Sequence, residues 1–491
     1  MVAVLVVVTH GLRALDQRWI VAIVFVAAMF MSLLDTTIIT VTLPTLARDF
    51  SVGTAEIEWV VVAYLLSLAV FIPASGWISD RFGAKRTFLT ALALFTGASA
   101  LCGVAGSMEV LVAFRALQGI GGGLLVPVGM AMLFRAFPPA DRARASRVLL
   151  LPTAIAPASG PVLGGLLVDN LTWHWIFLVN IPIGVAAFLF GWAYLEEQPS
   201  EHGRFDLAGF VLSGAGLALV LYALDQGSSR GWGTSAVVAS GLVGAAALVA
   251  LVVVELRIEQ PMLDLRLLGD RLFRTVNAVS FAAYGSFLGV LFLMPLFLQE
   301  VRELSATESG LTTFTEAFGV IVASQVASRL YPRVGPRRLM IGGLAFTAAV
   351  SASLALVGLD TDIWLVRLAM FALGLGMGFM IMSQQAAAFA QISPGDTANA
   401  SAIYSMLRQT SAAVGVAVLA TVLKGRLPAA GREAPPADQL GAYQTAFLVA
   451  AALAVVAVAL AATVRDRDAA ATMRPTGASD VAVRPTVPVE A

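Results

Sequence analysis

Long apolar runs alternate with short polar breaks along almost the whole chain. Runs of about 20 residues, the length that crosses a bilayer as a helix, fall at 20–42, 56–78, 88–107, 110–134, 148–168 and 176–195. Two more fall at 207–226 and 235–256, and six more at 275–299, 308–330, 338–358, 363–385, 398–423 and 441–463. Lipid offers no partner for open backbone groups, so runs of this length are expected to be helices. The pattern predicts an all-α integral membrane protein with fourteen transmembrane helices. Residues 2–8 are apolar but too short to span, and no basic stretch precedes them, so no signal peptide is expected.

Composition agrees with a chain whose solvent is lipid. Of 491 residues, 58% are hydrophobic and 13% charged, against about 25% charged in a soluble domain. The formal net charge is zero and gives no reason to expect nucleic acid. Cys102 is the single cysteine, so no internal disulfide or cysteine metal site is expected. His10, His174 and His202 are scattered and form no ligand set. There is no phosphate-binding GxxxxGK[ST] run, which argues against a nucleotide-driven pump. No HExxH, paired cysteine or Ser-His-Asp pattern suggests an enzyme. No cofactor or metal is expected.

The breaks differ in charge. Arg81, Lys85, Arg86, Arg135, Arg142, Arg144, Arg147, Arg266, Arg271, Arg274, Arg333, Arg337 and Arg338 share one side. The opposite side holds Arg48, Arg230, Arg302, Arg367, Lys424, Arg426 and Arg432. The positive-inside rule makes the first side cytoplasmic. An even number of spans then puts both termini in the cytoplasm. The excess of arginine over lysine suggests a GC-rich bacterial genome, hence a bacterial inner membrane.

One turn between apolar runs is written twice. Gly76-Trp77-Ile78-Ser79-Asp80-Arg81-Phe82-Gly83-Ala84-Lys85-Arg86 follows the second run. Arg333, Gly335, Arg337 and Arg338 repeat Arg81, Gly83, Lys85 and Arg86 downstream, and Arg367 follows Arg115 at the same offset. A parallel repeat of six helices each is one plan for secondary transporters. The expected organisation is a cytoplasmic segment 1–19, a six-helix half 20–195 and a linker 196–270 with two inserted helices. A second half 271–464 and a disordered tail 465–491 complete it. The inserted helices carry no central charge and read as a peripheral connector outside any pathway. Pro332 stands where Asp80 would recur, and Phe287 where Asp35 would, so the halves are not chemically equivalent.

Four charges fall inside apolar runs: Asp35, Arg115, Glu316 and Arg408. An ionised carboxylate in hydrocarbon is costly, so Asp35 must face a cavity, a partner or a proton. It is a proton site or cation contact, or a structural hydrogen-bonding group for Thr36, Thr37 or a neighbouring helix. Glu316 is a second proton or cation candidate, or the ion-pair partner of Arg408. Arg115 cannot release its proton, but can act on a nearby carboxylate. Gln118 lies at i+3 on the same helix face. Gly76 permits close helix approach and Gly83 a tight turn.

With these residues in place, the chain resembles the major facilitator superfamily, and within it the fourteen-helix drug:proton antiporters. The turn Gly76 to Arg86 is similar to the family's loop motif. Arg115 to Gly123 resembles the fourth-helix motif. Ala156 to Gly165, with Gly160, Pro161, Gly164 and Gly165, resembles the antiporter motif, Ala156 standing where glycine is usual. Leu34 to Pro44 resembles the first-helix motif, with Thr40 in place of asparagine. Trp173 to Gly184 is similar to this fourteen-helix branch.

The resemblance implies two six-helix halves around a cavity that opens alternately to each side. It implies proton coupling at the Arg115 motif, driven by the proton gradient alone; the buried carboxylates Asp35 and Glu316 are the proton-site candidates that would work with it, although no family motif requires Glu316. It implies a conformational gate at Gly76, Asp80, Arg81, Gly83 and Arg86. The kinked, closely packed fifth helix would be a rocking surface between halves and a leak seal. The expected partners are protons, membrane lipid and an amphipathic small molecule, exported by antiport. The alternative is an exporter or flippase of a lipid, siderophore or other natural product in the same fold.

Overall fold

The computed structural model describes residues 16–52, 57, 59–138, 141, 155–156, 159–160, 163–164, 166–167, 171–197, 206–259, 261–428 and 435–473. All regular structure among these residues is helical. Helix α1 (Gln17–Asp49) begins where the Asp16 carboxylate accepts from the Arg18 backbone N–H at 3.0 Å. Helices α2 (Trp59–Phe71) and α3 (Ser75–Phe82) form one span bent by 57°. Pro73 lies in that break, where its missing N–H and fixed φ interrupt the helical ladder. Helix α4 (Ala84–Cys102), α5 (Met108–Ala136), the short α6 (Trp175–Leu178) and α7 (Asn180–Tyr194) follow. Ser107 caps α5 by accepting from the Val110 N–H at 3.4 Å.

The inserted pair is α8 (Leu207–Arg230) and α9 (Ser235–Arg257). The second half contains α10 (Arg271–Leu296), α11 (Ala306–Val334), α12 (Pro336–Leu354), α13 (Ile363–Ala388), α14 (Thr397–Arg426) and α15 (Pro436–Ala461).

Among the described residues, nine helices are long and apolar enough to cross a membrane, or ten with the bent α2–α3 pair. Helices α4, α11 and α12 also have spanning length, at 19, 29 and 19 residues. They are less apolar because they carry serine and threonine turned inward. Ser99, Thr312, Ser324, Thr347 and Ser351 are all buried. Most of the expected span 148–168 lies outside the described residues. The tail expected to be disordered is ordered at its start. Asp466–Ala469 and Ala470–Met473 form two short helical turns. There, the buried Thr472 hydroxyl meets Tyr331 Oη at 2.8 Å, an anchor that composition does not reveal.

The repeated turn folds the same way in both halves. Gly83 has φ +93° and Gly335 φ +84°, a region that favours glycine. Each ends one helix and starts the next. Both following helix starts are capped by an acid from just beyond the last helix of the same half. Glu197 accepts from the Lys85 N–H at 2.9 Å and the Arg86 N–H at 3.3 Å. Asp466 accepts from the Arg337 N–H at 2.9 Å. Free N–H groups and the helix dipole make a helix start a natural place for a carboxylate. A side chain at either glycine would strike that carboxylate.

The inserted pair is not peripheral as a unit. Helix α9 is, with Leu242 68% and Val249 66% exposed to the surroundings. Helix α8 lies inside it and packs on α2 of the first half and α14 of the second. A connector reading followed from the absence of charge, but a wall of an apolar cavity needs no charge.

Candidate functional site

Five elements of the first half converge on one buried polar cluster. Asp35 comes from α1, Arg115 and Gln118 from one face of α5, Asn180 from the start of α7, Ser99 from α4 and Tyr64 from α2. All six are buried, Asp35 at 1% exposure and Arg115 at 0%. Arg115 Nη1 donates to Asp35 Oδ2 at 2.6 Å. The other carboxylate oxygen, Oδ1, accepts from Gln118 Nε2 at 2.9 Å and Asn180 Nδ2 at 3.1 Å. Arg115 also donates to Gln118 Oε1 at 2.7 Å and to the Val60 carbonyl at 3.0 Å. Its guanidinium lies 4.3 Å from the Tyr64 ring centre, a cation–π contact. Asn180 Nδ2 donates to Ser99 Oγ at 3.0 Å, and Ser99 donates to the Phe177 carbonyl at 2.9 Å.

Burying two charges costs several kcal/mol per ion unless short contacts and further hydrogen bonds offset it. Here the carboxylate has three donors. Arg115 Nη2 and Asn180 Oδ1 are buried with no hydrogen-bond partner among the described residues. The cluster therefore holds unused donor and acceptor capacity. Of the candidate threonine partners, Thr36 donates to the Leu33 carbonyl at 2.7 Å and Thr37 to the Leu34 carbonyl at 3.1 Å, both within α1.

Beside this cluster lies a cavity of about 540 Å³ between the halves. Thr37 and Leu66 face it from the first half, Phe292, Glu316 and Gln409 from the second, and Tyr222 from α8. Asp35 and Arg115 do not line it. Glu316 is its one charged lining residue among those described. At 7% exposure Glu316 makes no ion pair or hydrogen bond among the described residues. Arg408 is half-buried and lies beside Tyr284 instead, so the alternative Glu316–Arg408 pair is not formed.

The repeat register explains why the halves differ. Arg367 stands where Arg115 would recur, and it reaches Thr312 on α11 at 3.3 Å, the counterpart of Val60. Glu316 occupies the position of Tyr64. The first half thus seals an arginine over an aromatic ring, while the second turns a carboxylate into the cavity.

At the basic-loop end the halves are joined. Arg135, at the end of α5, donates to Asp80 Oδ1 at 3.1 Å and to the Pro394 and Gly395 carbonyls at 3.0 and 3.3 Å. Phe134 stacks on Phe389 with ring centres 4.4 Å apart. A side chain on Gly76 would come within 3.4 Å of the Ala398 and Asn399 backbone. Gly76 and Asp80 therefore sit at the contact between halves. Arg81 is exposed, and the Arg86 side chain is 81% exposed, 3.8 Å from Glu197. Arg135 was legible only as one basic loop residue among many.

The antiporter-type motif is partly described. Gly160 and Gly164 face α1, where a side chain on Gly164 would come within 3.1 Å of Ile38 and one on Gly160 within 2.7 Å of Thr37 Cβ. These two glycines thus pack against α1 inside the first half. Pro161 and Gly165 lie outside the described residues.

Comparison with known proteins follows this geometry. The family model for the Major Facilitator Superfamily matches residues 25–416. Pectobacterium atrosepticum MdtD, a protein named for multidrug resistance, is 33% identical over 455 residues, 92% of this chain and 95% of that one. The "Multidrug resistance protein B homolog" of Mycobacterium tuberculosis is 32% identical over 82% of this chain and 75% of its own. The fold matches the human organic anion transporter MFSD10 with a TM-score of 0.67 at 16% identity, over 90% of this chain and 99% of that one. The chain belongs to the major facilitator superfamily and is a multi-pass membrane transporter, not an enzyme.

Proposed function

We propose that this protein is a proton-coupled exporter of amphipathic drugs, working by alternating access in a bacterial inner membrane with both termini cytoplasmic. The observation that carries the reading is the asymmetry between ends. The halves are fastened at the basic-loop end through Arg135, while the cavity lies toward the other end. Its lining residues come from the later parts of α1, α8, α10 and α14 and the earlier parts of α2 and α11, all of which sit away from the basic loops. This is an outward-facing arrangement if the basic loops are cytoplasmic.

Two carboxylates support coupling. A proton on Asp35 removes the charge that holds Arg115 and turns an acceptor of three hydrogen bonds into a group with its own donor. Such a change can bias the packing of α1 against α5, and so the balance between states. Glu316 offers a negative charge to a cationic drug or a seat for a proton, but not both at once. The driving energy is sufficient: about 2.3 kcal/mol per charge per 100 mV, before the pH gradient is added. The names of the relatives, which refer to multidrug resistance, support drugs as cargo.

Reconstitution into proteoliposomes with an imposed pH gradient tests this. Ethidium should accumulate against its gradient only when the pH difference is present, and Asp35→Asn should lose that accumulation while retaining ethidium binding. Accumulation that ignores the gradient in both forms would sink proton antiport.

A further inference from the structure

We propose that the inserted helix α8 is the side wall of the transport cavity and that Tyr222 on it is a substrate contact that selects aromatic cations. The inference rests on the cavity being the drug site. Its support is the placement of α8 across a seam. The seam runs between α2 of the first half and α14 of the second. Leu217 and Leu221 of α8 form an apolar cluster with Ala69, flanked by Leu66 on one side and Met406 and Ala413 on the other. Gly214 lets α8 approach α2 closely, since a side chain there would come within 2.9 Å of Val70. Further along, Trp232 Nε1 donates to Thr421 Oγ1 on α14 at 2.9 Å. Helix α8 packs on both halves, and the turn that follows it adds a hydrogen bond to α14.

Its inner face completes the cavity. Leu221, Tyr222 and Leu224 all line it. The Tyr222 ring stacks on Trp59 of α2, with centres 6.4 Å apart and planes at 29°. This pairing fixes the ring orientation. Its outer face is covered by α9, where Gly244 would, with a side chain, come within 2.9 Å of the Val220 backbone. Without α8, the cavity between α2 and α14 would open sideways into lipid. An aromatic face and the Glu316 carboxylate then line one apolar chamber. A cation attracted by the carboxylate gains further from a ring within reach of its charge. A flat aromatic cation also gains stacking area that an aliphatic ammonium of the same charge lacks.

The test uses the full-length protein in proteoliposomes. Tetraphenylphosphonium and tetrabutylammonium serve as the aromatic and aliphatic cations. Tyr222→Ala should raise the KM for tetraphenylphosphonium about tenfold and leave that for tetrabutylammonium within about twofold. Tyr222→Phe should behave as the unaltered protein. Equal effects on both cations, or equal damage from Tyr222→Phe and Tyr222→Ala, would overturn the selective role. A second measurement does not depend on transport. Leu221→Cys and Leu224→Cys should react with a membrane-impermeant maleimide, and tetraphenylphosphonium should slow that reaction. Ser235→Cys, at the exposed start of α9, should react and show no protection. If cysteines on α8 are unprotected at concentrations that saturate binding, the wall assignment fails even where drug export stands. If protection is seen without pH-driven export, the wall stands and the antiport reading fails.

Discussion

Arg115 and Asp35 are joined at 2.6 Å inside the first half, and neither side chain reaches the cavity. Removing one partner leaves the other charge buried alone, which costs about 3–5 kcal/mol. Arg115→Leu should therefore lower the melting temperature in detergent sharply. Adding Asp35→Asn to that variant should recover most of the loss, since no charge then remains. A double variant no more stable than Arg115→Leu would show that the pair is not the source of the cost.

Arg135 holds Asp80 and two carbonyls of the opposite half. Bonds of this kind contribute roughly 1 kcal/mol each. Arg135→Ala should shift the balance toward separation of the basic-loop ends by about tenfold or more. Spin labels at Arg81→Cys and Gly395→Cys read this directly as a longer distance population. Asp80→Asn should give a smaller shift in the same direction, because the carbonyl contacts survive.

Glu316 has no ion pair to lose among the described residues. Glu316→Gln should leave the melting temperature unchanged or slightly higher. The KM for monovalent cationic dyes should rise about tenfold, while neutral amphipathic compounds are still exported. Loss of neutral substrates as well would mark Glu316 as the coupling carboxylate, not the cation contact.

Gly160 faces the Thr37 side chain, and a methyl group there collides with it before anything else. Gly160→Ala should reduce export more than Gly164→Ala, whose nearest neighbours lie 3.1 Å away. Thr37→Ala should partly rescue Gly160→Ala. Dye efflux from cells expressing each variant at matched levels compares them.

Asp206 and Glu255 meet at the basic-loop root of the inserted pair. Each has a buried oxygen without a hydrogen-bond partner among the described residues, Asp206 Oδ2 and Glu255 Oε2. Neither makes an ion pair among the described residues. A methyl group on Gly209 would collide with both carboxylates. Glu255→Gln supplies a donor and removes a charge, so it should stabilise by about 1 kcal/mol. Gly209→Ala should destabilise. Thermal unfolding in detergent reads both.

The spans, the repeat and the intramembrane charges were visible in sequence because each leaves a mark in composition. A charged residue in an apolar run stands out, as Asp35 and Arg115 did. Their partners Asn180, Ser99 and Tyr64 did not, since a neutral polar residue in such a run can turn anywhere. Arg135 looked like one topological charge among many, and only the fold brings it to Pro394. Helix α8 was misplaced for the opposite reason. Leucines that line a cavity look the same in sequence as leucines that face lipid. The acids Glu197 and Asp466 were hidden because the loops before them differ in length between the halves.

Those two acids have a mechanical consequence. Each ties the third helix of its half to the chain just past the sixth, closing the half into a loop at the basic end. A bundle fastened in this way resists internal shear there. Under the proposed alternating access, motion would be channelled into the contact between bundles, where Arg135 bonds across, and each half would tilt as a single lever.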